Sequence, residues 1–147
     1  MSVRNTILAS LVTTLGNIKK INGFHHDLLQ PILRKFLYWD HVYTYPALMV
    51  LGGGEHFEDQ LGPTTISTMM VRIAGYTQDV QDPEVESCNM IEDIIKCLET
   101  ASYNPYHSSM ALVDLDTDEG RLNEETPGIA MFVLSLKVIY KYNRTSP

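Results

Sequence analysis

WDHVYTYPALMVLGGGE, residues 39–55, runs from a polar, aromatic lead-in through a proline and a short apolar stretch into three glycines and an acid. The proline ring crowds Tyr45 out of the helical region, so the chain enters Ala47–Leu51 extended. Five apolar residues are too few for a helix and suit a buried strand. Gly52, Gly53 and Gly54 release the backbone, and Glu55, His56, Glu58 and Asp59 are expected to return it to water through a loop ending near Pro63. No reacting group lies in this stretch, which directs attention to architecture.

Working outward, Phe36–Tyr43 is rich in aromatic and branched residues and is expected to form a strand that bends into the next one. Residues 24–35, with His25-His26-Asp27 and Pro31, give no firm element. Before them Ile7, Leu8, Leu11, Val12, Leu15 and Ile18 recur at helical spacing. That first helix is expected to close on Lys19, Lys20 and a left-handed Gly23.

After Pro63, TTISTMMVRIAGY (64–76) alternates, with Met69, Val71 and Ile73 on one side and Thr68, Met70, Arg72 and Ala74 on the other. This is the pattern of a half-solvated antiparallel strand. Asp82-Pro83-Glu84 supplies a cap, a first-turn proline and acids at the positive end of a second helix. Its expected buried stripe is Val85, Cys88, Ile91, Ile94, Ile95 and Leu98. Met110–Leu115 is expected as a short strand, 116–128 as an acidic loop, and Ile129–Tyr142 as a final strand. That strand aligns Ala130, Phe132, Leu134, Leu136, Val138, Tyr140 and Tyr142 on one face and leaves Ser135, Lys137 and Lys141 wet.

The fold class that follows is α+β, a mainly antiparallel sheet with two helices packed on one face, in the order α-β-β-β-α-β-β. At 147 residues the chain supports one core, hence one domain over 1–147. A formal charge of −7 and eleven scattered basic residues argue against a nucleic-acid-binding surface, which needs clustered cations to displace phosphate counterions. Met1–Ile21 lacks the hydrophobic block and cleavage site of a signal peptide, and no apolar stretch approaches the ~20 residues of a membrane span, so a soluble protein is expected. Cys88 and Cys97 are read as two buried thiols of a reducing compartment. Neither has a local arginine or histidine to activate it.

Asp114, Asp116, Asp118 and Glu125 fall at the first, third, fifth and twelfth places of a calcium loop. Glu119, however, occupies the sixth place, where the turn needs glycine, and strands flank the segment. A solvated acidic loop is the expected reading. His25, His26, His41, His56 and His107 fit no ligand spacing. No lysine follows the three glycines to make a phosphate cradle. Hence no catalytic residue, metal or cofactor is expected.

In its order of elements the chain resembles the tail terminator, or tail-completion, proteins of long-tailed bacteriophages. The resemblance rests on the amino-terminal helix, the YPAL-hydrophobic-G-E strand within residues 39–55, the alternating strand, the MIEDIIKCLE helix and the terminal LKVIYKY strand. It implies a structural virion protein, not an enzyme, that assembles in the host cytoplasm. It implies a six-membered ring of copies that caps the tail tube, meets the neck or head-closure protein at the head-tail junction, and lets DNA pass without specific binding. On that reading Glu55, His56, Phe57, Glu58, Asp59 and Leu61 are the candidate interface to a neighbouring copy or the tube. Asp116, Asp118, Glu119, Glu124 and Glu125 are the candidate acids lining the bore, and 25–35 is a candidate contact with a neck or tube protein. The rivals are a head-closure protein, separated by which partner it binds, and a small metal-dependent enzyme using the acids of 114–125.

Overall fold

A computed structural model describes residues 3–29, 31–38, 42, 44–59, 64–79, 81–100, 109–118 and 128–143. The elements are α1 (Val3–Leu15), β1 (Ala47–Asp59), β2 (Thr64–Gln78), α2 (Pro83–Thr100), β3 (Ser109–Asp118) and β4 (Ile129–Asn143), with a short 3-10 turn at Lys20–Asn22. The strands form one antiparallel sheet in the order β1-β2-β4-β3. The α+β class stands.

The order of elements differs from expectation by one strand. Phe36–Leu37–Tyr38 and Val42 are not in a strand, and the other residues of the expected 36–43 strand lie outside the described set. Its described residues do not join the sheet as a strand but pack across it. Leu33 makes a lone parallel bridge to Met49 at the β1 edge, and Leu37, Val42 and Tyr45 then pack on Met49, Ala74, Tyr76 and Ile129. Tyr76 Oη donates to the Leu37 carbonyl at 2.8 Å, which binds this strap to the sheet. Within this stretch Leu37 and Val42 turn inward to cover the face opposite the helices, while Phe36 and Tyr38 stay exposed. Consequently β2 alternates in burial through Arg72, and Ile73–Thr77 are then buried on both faces.

The main core lies between the other face and the two helices. Ile7, Leu8, Leu11 and Leu15 of α1 and Met90, Ile91, Ile94 and Cys97 of α2 meet Val71, Ile73, Phe132, Leu134, Leu136 and Val138. The β4 face read from alternation is therefore the buried one through Tyr140. The α2 stripe is rotated from the expected one. Val85 and Cys88 are exposed, while Ser87 and Met90 are buried. The pair of buried thiols is thus one: Cys97 alone is buried, its Sγ 3.2 Å from the Thr14 carbonyl, and burial followed by the charge of Asp93 pushes its pKa up.

Helix α1 stops at Leu15, earlier than Gly23 implies. Ile18 still enters the core after the chain has left the helix, and Gly23, at φ 92°, closes the 3-10 turn by donating to the Lys20 carbonyl. Among the described residues no helix is long and apolar enough to cross a membrane.

Candidate functional site

The three glycines do not end β1. The strand continues to Asp59, and between Gly52 and Glu55 its pairing with β2 shifts by one residue, with Gly52 opposite Val71 and Glu55 opposite Met69. Such a bulge turns every later side chain onto the other face. Glu55 therefore points beneath the sheet, with a side chain only 8% exposed, and not into a loop. Its Oε1 accepts from Arg4 Nη1 at 2.7 Å, and its Oε2 accepts from Ser67 Oγ at 2.6 Å and Tyr140 Oη at 2.9 Å. Arg4 Nη2 also donates to the Gly53 carbonyl at 2.7 Å. A Cβ on Gly52 would lie 2.4 Å from that same nitrogen, so the first glycine is the floor of an arginine socket. Burial by itself pushes the Glu55 carboxyl up. The hydrogen bonds from Ser67, Arg4 and Tyr140 and the guanidinium charge outweigh burial and hold it below its ordinary value.

Beyond Glu55 the β1–β2 pair forms an arm on which His56, Phe57 and Glu58 are exposed, Phe57 by 55%. The expected interface group is thereby divided. Glu55 holds the arm to α1, His56, Phe57 and Glu58 offer surface, Asp59 ends the strand, and Leu61 lies outside the described residues.

At the other end of the sheet β3 is an edge strand, with Ala111–Thr117 all exposed. The strand runs further than Leu115 and includes Asp116–Asp118, which had been assigned to the acidic loop. Extended backbone at Asp114, Asp116 and Asp118 cannot wrap a calcium ion as a tight loop does. Among the described residues no group of three or more His, Cys, Asp or Glu is arranged to hold a metal. Glu119, Glu124 and Glu125 lie outside them. Leu112, Val113 and Leu115 are exposed large apolar residues on this edge. Beside them a groove of about 450 Å³ runs between β3 and α2, lined by Ile95, Leu98, Met110, Leu112 and Leu136.

A third feature is the anchorage of the 25–35 segment. Asp93 on α2, 1% exposed, accepts from the backbone N–H of His25 at 2.9 Å and of His26 at 3.1 Å. The His26 ring lies between two acids, Nδ1 2.9 Å from Asp93 Oδ2 and Nε2 against Glu86 Oε1. Asp93→Asn replaces one accepting oxygen with an amide donor facing N–H groups. It is expected to cost about 2 kcal/mol, read as lower stability to urea and as faster hydrogen exchange at the His25 and His26 amides.

Sequence reasoning missed Arg4 and Asp93, although a signal was available. Arg4 precedes Leu8 by one helical spacing and Asp93 follows Met90 by another, so each charge sits within a buried stripe and needs a partner. The chain offers surfaces: the arm, the β3 edge and the strap.

The chain matches, over residues 1–146, the model of a family described as Bacteriophage Tail Tube Terminator Protein. No curated protein matches it in sequence.

Proposed function

The chain belongs to the bacteriophage tail tube terminator family and is a structural protein of the phage tail, and we propose that it works as a closed ring of identical copies seated on the end of the tail tube. The ring stops further addition of tube subunits and presents its far side to the neck. The observation that carries this reading is the difference between the two ends of the sheet. One end is wrapped by the strap at β1; the other is the exposed, leucine-bearing edge of β3. Head-to-tail closure needs two different surfaces of this kind on each subunit, whereas a two-fold pair would use one surface twice. The arm bearing His56, Phe57 and Glu58 is the proposed tube contact, and a chain of charge −7 repels the DNA that passes through the ring.

The test is electron microscopy and light scattering of the protein alone and with the tail tube protein. Rings of uniform mass that cap tube ends and halt elongation are expected. Compact monomers that leave tube length unregulated would exclude the reading.

A further inference from the structure

The strap and the β3 edge have complementary chemistry. Where the strap rounds the β1 edge, Arg34, Lys35, Phe36 and Tyr38 are all exposed, in a chain with only eleven basic residues. Phe36 and Tyr38 pack edge to face with centroids 5.2 Å apart, and Tyr38 remains 67% exposed. Arg34 Nη1 donates to Asn5 Oδ1 of α1 at 3.1 Å, which sets the guanidinium against the helix side of the β1 edge. At the far end of the same sheet, the β3 edge exposes Leu112, Val113 and Leu115 interleaved with Asp114 and Asp116. One end is thus cationic and aromatic and the other anionic and aliphatic, and they lie at opposite ends of the order β1-β2-β4-β3.

We propose that the strap of one copy docks on the β3 edge of the next, with Arg34 and Lys35 facing Asp114 and Asp116 and with Phe36 and Tyr38 against Leu112, Leu115 and the adjoining groove. The occupant is a second copy because both halves of the joint are on this chain, at opposite ends. Aromatic anchors entering an apolar groove supply the binding energy, and the paired charges fix orientation. On this assignment Asp114 and Asp116 sit in the seam between copies and not in the bore. The inference rests on the ring reading and names the joint within it.

Two charge-reversed chains test it, Arg34→Glu with Lys35→Glu and Asp114→Lys with Asp116→Lys. Every altered residue is exposed, so below the concentration at which copies assemble thermal unfolding should match that of the original chain. Each variant alone is expected to need about tenfold or more protein for half-assembly, because like charges then meet at every joint. An equimolar mixture is expected to recover rings, since alternation sets native strap on native edge and reversed strap on reversed edge. If the unaltered protein forms rings and either variant does so equally well, the joint is overturned and the ring stands. An unaltered protein that stays monomeric with tube protein present overturns both.

Discussion

Glu55→Ala is expected to lower the unfolding free energy by about 3 kcal/mol, the largest effect of any polar substitution on the β1–β2 arm. The cost does not come chiefly from the ion pair, because the Arg4 side chain is 36% exposed and water can replace part of its partner. It comes from the bonds that the buried hydroxyls of Ser67 and Tyr140, 0% and 3% exposed, make to the Glu55 carboxylate. Losing a hydrogen bond to a charged group costs about 1.5–3 kcal/mol. For a chain of this size the midpoint of thermal unfolding should fall by roughly 6–12 °C. His56→Ala, one residue along on the opposite face, should change stability by less than about 0.5 kcal/mol. Equal losses at the two positions would refute the inward placement of Glu55.

Acid should narrow the difference between Glu55→Ala and the original chain. The folded-state carboxyl titrates below its ordinary value of 4.5. Its contribution is therefore complete above that value and is lost as pH falls through the lowered one. Urea unfolding at neutral pH should show the full gap, and the gap should shrink on acidification. A gap that widened as pH fell would mean that burial, not the three donors, governs Glu55.

The same residue shows what the sequence could convey and what it could not. Alternation identified the buried face of β4 because period-two burial is a local property. It identified β2 until Arg72 for the same reason. Nothing local says that three glycines will bulge instead of stopping, since the bulge is fixed by Arg4 on another element 48 positions before Gly52. The strap failed as a strand prediction for a related reason. Phe36, Leu37 and Tyr38 have strand-like composition, but among the described residues it is Leu33 that bridges to β1, and Leu37 then turns onto the second sheet face. Residue type reports the need for cover and does not say which face will provide it. The extent of β3 was underestimated because Asp116 and Asp118 are poor strand formers, and pairing with Val133 and Met131 of β4 overrides that preference. Of the proposed contact surfaces, the exposed Phe57 was visible as an aromatic residue among charges. The strap–edge complementarity was not, because it joins residues 34–38 to residues 112–116 through a strand order that only the fold supplies.

Gly75 supplies the second large effect. Leu48, Gly75 and Phe132 occupy one row across β1, β2 and β4, on the face toward the helices. The missing side chain in the middle of the row is the space the Phe132 ring fills. A Cβ on Gly75 would lie 2.4 Å from Phe132 Cζ, 2.7 Å from Cε1 and 2.9 Å from Leu48 Cδ2. Phe132 is fully buried, so its ring has no free volume to retreat into. Gly75→Ala is therefore expected to cost about 3 kcal/mol by overpacking. Phe132→Ala is expected to cost about 3–5 kcal/mol by leaving a cavity. The two losses should not add, because truncating the ring vacates the position that the new methyl group needs. The double variant is expected to be more stable than the sum predicts by about 1–3 kcal/mol, a coupling of the size found between side chains in direct contact. Chemical denaturation of the four proteins measures it. Strict additivity would show that the two residues do not share this space, and the packing of β2 between its neighbours would have to be rebuilt.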